Sequence, residues 1–373
     1  MSPWLQQEVE ALGYRPEQVF KTGVALKGSM MDCIDLNMQL RCASQVLYAI
    51  KEIKATNADE LYHALYAMPW EQLLPADGYF SVSSNVSNSS ISNNLFANVK
   101  VKDAIVDRFR NQTGSRPHSG AALNGAVIHL YWKEDDAVIY LDTSGETLSK
   151  HGYRKIPGKA PMLESLATAT ILASGWDGAS PFINPMCGSG TLAIEAALLA
   201  THRKPGLYRS NYAFMHLLGY EHRVYQQKLQ QLNAQIIAAP AGLTIIASDI
   251  SEDAVQVSRV NAGIAGVEDI IAFELCDFEK TTVPPADKGA VFFNPEYGDR
   301  LGDEVALQAT YKRMGDFLKQ QCKGYKGYIF TGNLELAKKI GLKPKRRIEF
   351  FTSKIDCRLL EYELYAGSRE TKN

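Results

Sequence analysis

The 373 residues carry 40 Lys and Arg against 41 Asp and Glu, a net charge of −1, and 46% of them are hydrophobic. That length suits about two or three domains with apolar cores, while the charge balance argues against a globally basic nucleic-acid or membrane binder, so any basic surface is local. The six cysteines form no CxxC pair and no zinc-spaced Cys/His cluster, which argues against a disulfide scaffold or a structural metal and favours reduced thiols.

The first stretch, MSPWLQQEVEALGYRPEQ, has Glu8 and Glu10 where a signal peptide needs an apolar core. No segment approaches the ~18 uninterrupted apolar residues of a membrane span, so a cytoplasmic protein is expected. LNMQLRCASQVLYAIKEIKA spaces its apolar residues at helical intervals, and Asn57 in TNADELYHALYAM can cap another helix. SVSSNVSNSSISNN, Ser81 to Asn94, is Ser/Asn-rich; its side chains compete for backbone hydrogen bonds and favour turns or a polar edge strand, with a surface loop the simplest expectation. NVKVKDAIVDRFRNQTG then reads as an amphipathic helix, and AVIHLYW and AVIYLD, separated by KEDD, read as a hairpin. The N-terminal part is therefore mixed helix and antiparallel strand, an α+β arrangement.

From about Pro161 helices and apolar strands alternate: MLESLATATILASG, the strand–turn–helix SPFINPMCGSGTLAIEAALLAT, then LTIIASDI, EDAVQVSRVNAGIAG, IIAFELCDF and GAVFFNPEYG. Strands apolar on both faces and separated by helices predict a doubly wound, mostly parallel sheet, which binds ligands at the carboxyl ends of its strands.

In NPMCGSGT, Gly188 and Gly190 stand where strand becomes helix, so the backbone can turn sharply and offer free amides at a helix N-terminus. Gly188-x-Gly190-x-x-Ala193 also fits the looser dinucleotide fingerprint, but the next strand-end acid, Asp249, lies 59 residues beyond Gly190 rather than about 20, with the helical excursion RKPGLYRSNYAFMHLLGYEHRVYQQKLQQLNAQ between them. Asp249 suits the two hydroxyls of a ribose, and Asp277 in ELCDF suits an adenine amino group with Phe278 packing on the ring. Either aspartate alone is as readily a helix N-cap; the ordered set of glycine turn, Asp249, Asp277 and Asn-Pro-x-Tyr is far more specific.

NPMCGSGT, SDIS, CDF and NPEYGDRLG together closely resemble the S-adenosylmethionine-dependent methyltransferases of exocyclic or amide nitrogens, and among them the bacterial large-subunit (23S) ribosomal RNA guanine-N2 methyltransferases with a THUMP domain. The resemblance spans nearly the whole chain, including NMQLRCASQVLYAI, VKDAIVDRF, LDTSGETLSKHGYRKIPGKAPMLESLA, RKPGLYRSNYAF and KIDCRLLEYELY. It implies a ferredoxin-like segment over 1–55, a THUMP-like RNA-binding domain over 56–157 and a Rossmann-like methyltransferase domain over 158–373. It also implies an S-adenosyl-L-methionine site of Asn184, Cys187, Gly188, Gly190, Thr191, Asp249, Ile250, Asp277, Phe278 and Asn294, with Asn294, Pro295 and Tyr297 as the catalytic group. In such enzymes the asparagine side-chain carbonyl and the following backbone carbonyl accept the two hydrogens of the target amino group, and the aromatic ring stacks on the flipped base. No metal is implied.

Two positions depart from the family pattern: Glu296 stands where a second proline is usual, and Asn184 where an acid is usual. They leave open a catalytically weakened homologue that binds RNA in ribosome assembly. Asn-Pro-x-Tyr also suits adenine N6 or a glutamine amide, and a nicotinamide oxidoreductase is the remaining alternative. Candidate RNA contacts are Lys100, Lys102, Arg108 and Arg110, and Lys345, Arg346 and Arg347 within the basic stretch from Lys323 to Arg347, since clustered cations can neutralise phosphates. Solvated helix faces explain such clusters equally well. Arg154 and its linker neighbours His151, Lys155 and Lys159, with Arg203, Lys204 and Arg209, complete the candidates.

Overall fold

The structure is a computed structural model that describes residues 1–88, 91, 93–156, 161–296, 304–352 and 355–365. The chain forms two compact units interleaved in sequence: residues 1–25, 150–204 and 235–373 make one, and residues 26–149 and 205–234 the other. It begins with α1 (Ser2–Ala11) and a two-stranded sheet of β1 (Pro16–Phe20) and β2 (Gly23–Leu26).

The second unit contains, in order, α2 (Met30–Gln39), β3 (Leu47–Lys54), α3 (Ala58–Tyr66), β4 (Tyr79–Ser87), α4 (Asn94–Thr113), β5 (His118–Ser119), β6 (Ala126–Lys133) and β7 (Asp136–Asp142). Its sheet runs β3-β7-β6-β4-β5. β6 and β7 pair antiparallel as the hairpin predicted from AVIHLYW and AVIYLD. Trp70, Phe80, Phe109 and Trp132 are fully buried in the core beneath this sheet.

One expectation fails in this unit. Leu47–Lys54 is not helical: α2 stops at Gln39, and β3 pairs along β7, so tertiary strand pairing overrides a local helical spacing. Of the alternatives for the Ser/Asn-rich stretch, residues 81–87 take the polar edge strand rather than the loop: they belong to β4 and pair parallel with β6, while β5 on the other side reaches only Tyr79 and Phe80, and Val82 and Val86 pack against the core; serines on a pleated surface are tolerated once alternate positions are filled by valine. Asn57 caps α3 as expected, accepting from the N–H groups of Asp59 and Glu60.

The first unit continues with α5 (Glu164–Ser174), β8 (Phe182–Pro185) and α6 (Thr191–Ala200). The chain then passes into the second unit, where 3₁₀ turns at Pro205–Tyr208 and Ala213–His216 precede α7 (His222–Ala234). Here Gly206 lies against Met38, whose backbone atoms would be 2.6–2.8 Å from any Cβ at 206, so the predicted helical excursion returns to the N-terminal half of the chain. β9 (Ile245–Asp249), α8 (Glu252–Ala265), β10 (Ile271–Leu275), β11 (Ala290–Phe293), α9 (Glu304–Gln321), β12 (Lys326–Thr331), α10 (Leu334–Lys338), β13 (Arg346–Thr352) and β14 (Ile355–Glu363) complete the first unit.

Among the described residues this unit's main sheet orders its strands β10-β9-β8-β11-β12-β14-β13, parallel from β10 to β12 and antiparallel at β14 and β13. β8 and β11 are buried at every position, as helix-covered parallel strands must be. The chain winds outward through β8, β9 and β10, then returns to lay β11 on the other side of β8. That reversal is a topological switch point, and the crevice outside the carboxyl ends of β8 and β11 is where such sheets bind ligands. The glycine turn follows one of these strands and Asn294 follows the other.

Candidate active site

At the end of β8 the backbone makes a left-handed sequence of turns, with Met186, Gly188 and Gly190 at φ of 57°, 55° and 80°. A Cβ at Gly190 would lie 2.9 Å from Ser258 Oγ, so glycine is required there for packing as well as conformation. At Gly188 a Cβ would meet nothing within 4 Å: this glycine faces open space, and a ligand's polar portion can approach its backbone. The turn is anchored by the Cys187 N–H to the Ser248 carbonyl (2.9 Å) and by the Ser258 hydroxyl to the Gly188 carbonyl (2.8 Å). Burial pushes the Cys187 thiol up to about 12, so it stays protonated and serves packing.

Asp249 closes β9 with its carboxylate across the turn. Oδ2 accepts from the Gly188 N–H and Oδ1 from the Ser251 N–H, both at 3.0 Å. A carboxylate has about four lone-pair positions, so two remain, the number that a pair of ribose hydroxyls requires. Ile250, next along the chain, is 72% exposed, an apolar surface beside those acceptors.

Asp277 follows β10 and caps the short 3₁₀ turn Phe278–Lys280, accepting from the Glu279 N–H (3.0 Å). Arg313 on α9 donates to both Asp277 oxygens at 2.8 Å and to Glu279, and its guanidinium stacks 4.8 Å above the Phe278 ring. Partial burial raises the Asp277 carboxyl, but the bonds from Arg313 and the Glu279 amide outweigh it and hold the group below its ordinary range. The N-cap and the ligand-acceptor readings are thus compatible at this residue. Phe278 is buried, edge-on to Phe293 and Phe317, so it supports the strand ends from below.

Asn184 and Asn294 sit at the neighbouring ends of β8 and β11. Asn184 is 1% exposed and donates through Nδ2 to the Phe292 carbonyl (3.0 Å). Its Oδ1, and the buried Oδ1 of Asn294, have no hydrogen-bond partner among the described residues. Unpaired buried acceptors cost free energy, and each calls for a partner such as an ordered water or a ligand's donor. Pro295 is buried, Glu296 is exposed, and the Tyr311 hydroxyl donates to the Glu296 carbonyl at 3.3 Å. Tyr297 lies outside the described residues, as does Lys159.

The basic candidates are mostly compensated. Lys100 pairs with Asp59 (3.0 Å), Lys102 with Asp103 (2.9 Å), Arg110 with Asp107 (3.6 Å), and Arg108 with both oxygens of Glu71. Lys345 pairs with Glu363 and Arg346 with Glu361, while Arg347 is exposed with no carboxylate partner among the described residues. Arg154, expected at an RNA surface, is instead a buried structural group: it donates to Glu164, the Met162 carbonyl and Thr191 Oγ1 at the start of α6. His151 is likewise buried, 2.7 Å from Glu195. Arg313, Ser258 and Asn261 are the site residues the sequence did not disclose; the sole trace is the three-residue spacing of Ser258 and Asn261 on one face of α8. Among the described residues no cluster of potential metal ligands occurs, and no helix is long and apolar enough to cross a membrane.

Comparison with known proteins agrees with this architecture. Residues 151–361 match the RMKL-like methyltransferase domain family, residues 55–142 the THUMP domain and residues 2–47 the RlmL ferredoxin-like domain. The ribosomal RNA large subunit methyltransferase K/L of Syntrophotalea carbinolica (strain DSM 2380 / NBRC 103641 / GraBd1) is 34% identical over 98% of this chain and 52% of its own. The chain spans about half the length of the curated relatives it matches. Among solved structures, SMU.472, complexed with SAH, has a TM-score of 0.86 at 26% identity, covering 98% of this chain and 96% of its own. A predicted N6-adenine-specific DNA methylase from Listeria monocytogenes str. 4b F2365 also has a TM-score of 0.86, at 29% identity, covering 97% of this chain and 93% of its own. Because the family match takes in more than half of the residues and every described strand end of the site, the chain belongs to the RMKL-like methyltransferase domain family.

Proposed function

We propose that this protein transfers a methyl group from S-adenosylmethionine to an exocyclic base nitrogen of RNA, the target being guanine N2 in large-subunit ribosomal RNA. The observation that carries the reading is Asn294 Oδ1, a buried acceptor without a partner among the described residues, at the strand end beside the glycine turn. The relatives named ribosomal RNA large subunit methyltransferase K/L and the THUMP match support RNA as the substrate, and SAH bound to SMU.472 supports the cofactor.

The residues present fit that cofactor. Gly188 leaves room for a polar group, Asp249 retains acceptors for ribose hydroxyls, Ile250 offers an apolar face, and Asp277 keeps a lone pair on Oδ2 for an amino donor. When bound, S-adenosylmethionine supplies an electrophilic sulfonium methyl. Asn294 Oδ1 and the backbone carbonyl after it accept the two amino hydrogens, drawing the nitrogen lone pair out of conjugation with the base. Orientation then supplies much of the rate, with little demand for acid–base chemistry. Extruding a base from a duplex costs a few kcal/mol, which stacking on Tyr297 offsets by ~1–3 kcal/mol.

Adenine N6 is the second reading, favoured by the name of the Listeria monocytogenes relative. Labelled methyl transfer to unmodified large-subunit ribosomal RNA, followed by digestion to nucleosides, separates the two. N2-methylguanosine is the expected product, and N6-methyladenosine would move the target to adenine. Absence of transfer by a protein that still binds SAH would favour the weakened, RNA-binding homologue suggested by Glu296 and Asn184.

A further inference from the structure

One buried amide joins the segment before α5 to the glycine turn. Asn261, on α8, is fully buried. Its Oδ1 accepts from the N–H groups of Lys155 (3.2 Å) and Ile156 (3.4 Å), while its Nδ2 donates to the Ile156 carbonyl (3.0 Å) and the Ser189 carbonyl (3.3 Å). A primary amide has two donor hydrogens and two acceptor lone pairs, so every valence of this one is used. The arrangement also fixes which way the amide faces, because two N–H groups lie on one side and two carbonyls on the other. Just upstream, Arg154 bonds Thr191 Oγ1 at 3.2 Å, and Ser258, one helical turn before Asn261, holds the Gly188 carbonyl. Residues 154–156 and α8 therefore hold the turn at the Gly188 and Ser189 carbonyls and at the Thr191 hydroxyl.

We infer that Asn261 is a positioning residue for the cofactor turn, binding residues 155–156 to Ser189 so that the turn is set for its ligand before the ligand arrives. The inference rests on the cofactor reading given above. Asn261 itself is fully buried behind the turn and acts through the backbone it holds. A preorganised turn spares the ligand the ordering cost on binding, so loosening it weakens affinity without removing any group that touches the ligand. Asn261→Asp is the discriminating change: it keeps the acceptor for Lys155 and Ile156 but replaces the donor with an oxygen facing two carbonyls.

The test uses the whole 373-residue chain and SAH as the probe. By calorimetry, Asn261→Asp is expected to raise the SAH Kd about tenfold, the equivalent of one lost hydrogen bond. The KM for S-adenosylmethionine should rise in step while kcat is largely kept, a split that general destabilisation does not produce. A folded Asn261→Asp protein with an SAH Kd within about twofold of wild type, a difference of well under one hydrogen bond, overturns the inference. A second measurement needs no variant: on SAH binding to the wild type, amide hydrogen exchange at Lys155 and Ile156 should slow together with that at Gly188–Thr191. Protection confined to the turn, with 155–156 unchanged, overturns the coupling. Failure of the wild type to bind SAH at all overturns the cofactor reading and this inference with it, so the two failures are distinct.

Discussion

After β8 the chain turns through residues whose polar groups are tied down: Cys187 N–H to Ser248, Gly188 N–H to Asp249, the Gly188 carbonyl to Ser258 and the Ser189 carbonyl to Asn261. After β11, one strand away, Asn294 leaves its Oδ1 buried and unpaired among the described residues, and there the backbone that follows is held by a long bond, from the Tyr311 hydroxyl to the Glu296 carbonyl (3.3 Å). The contrast separates two tasks. A braced turn suits a ligand that binds in one fixed pose, whereas an unsatisfied acceptor suits a group that must be received, held for reaction and released. The first end is made rigid by its neighbours; the second is kept polar and open at the cost of an unpaired oxygen.

The largest expected effect comes from removing that oxygen. Asn294→Ala should reduce methyl transfer by about 10²–10³-fold, the usual loss when one preorganised polar group at a reacting centre is deleted, while SAH binding by calorimetry stays near wild type. Undiminished turnover in a folded Asn294→Ala protein would falsify the mechanism. Equal losses of turnover and SAH affinity would erase the distinction between the two strand ends.

Gly190→Ala attacks the braced end. The left-handed backbone alone costs ~1–2 kcal/mol for a residue with a Cβ, and the new methyl would displace Ser258 Oγ, forfeiting its bond to Gly188, worth roughly 1 kcal/mol. Chemical denaturation should therefore report a loss of roughly 2–3 kcal/mol. Gly175→Ala, also at positive φ but with no atom within 4 Å of the added Cβ, isolates the conformational part and should cost only ~1–2 kcal/mol. If the two variants are equally destabilised, Ser258 does not brace the turn.

The parts of this site legible in the sequence are those whose physics is local. Buried parallel strands read as continuous apolar runs, as β8, β9 and β11 do, and the edge strand β10 reads the same way although only its Ile271 is buried; the glycines and strand-end acids sit at fixed offsets from these runs, so the four strands and the residues that follow them could be placed. What was not legible depends on partners distant in sequence. β3 reads as helix until β7, 95 residues away at the Leu47–Asp142 pair (142 − 47 = 95), is there to pair with it. Arg108 and Arg346 read as phosphate contacts until Glu71 and Glu361 are seen to neutralise them. Arg154 carries the same charge as a surface arginine, and only the burial of Glu164 beside it reveals an internal pair. No spacing rule announces that Arg313 on α9 would meet Asp277.

Asn184 connects the two strand ends directly, since its Nδ2 donates to Phe292 at the end of β11. The departure from the family's usual acid at this position then has a structural reason: an aspartate has no hydrogen to donate and would set its charge against the Phe292 carbonyl, with the Pro185 carbonyl also nearby. Asn184→Asp should accordingly cost about 1–2 kcal/mol of stability and lower turnover. If stability holds and turnover rises instead, Asn184 is a weakening substitution and the RNA-binding reading gains.

The smallest effect is expected at the third strand end, after β10. Arg313→Met keeps an apolar stem against Phe278 but removes the charge from beside Asp277 and Glu279. Because Arg313 is substantially exposed, solvent screening limits the loss at neutral pH to at most about 1 kcal/mol. Its pH dependence has a definite sign. Arg313 and the Glu279 amide hold the Asp277 carboxyl below its ordinary value, so the native state binds fewer protons than the unfolded state in the acid range. The resulting stability is present above the unfolded pKa, about 3.9, and is lost as pH falls through the lower folded value. The Tm difference between wild type and Arg313→Met should therefore be constant from neutral pH down to about pH 5 and shrink below about pH 4. A gap that persists unchanged at pH 3 would mean that Arg313 stabilises α9 through packing on Phe278, and that the end of β10 is braced by contact rather than by charge.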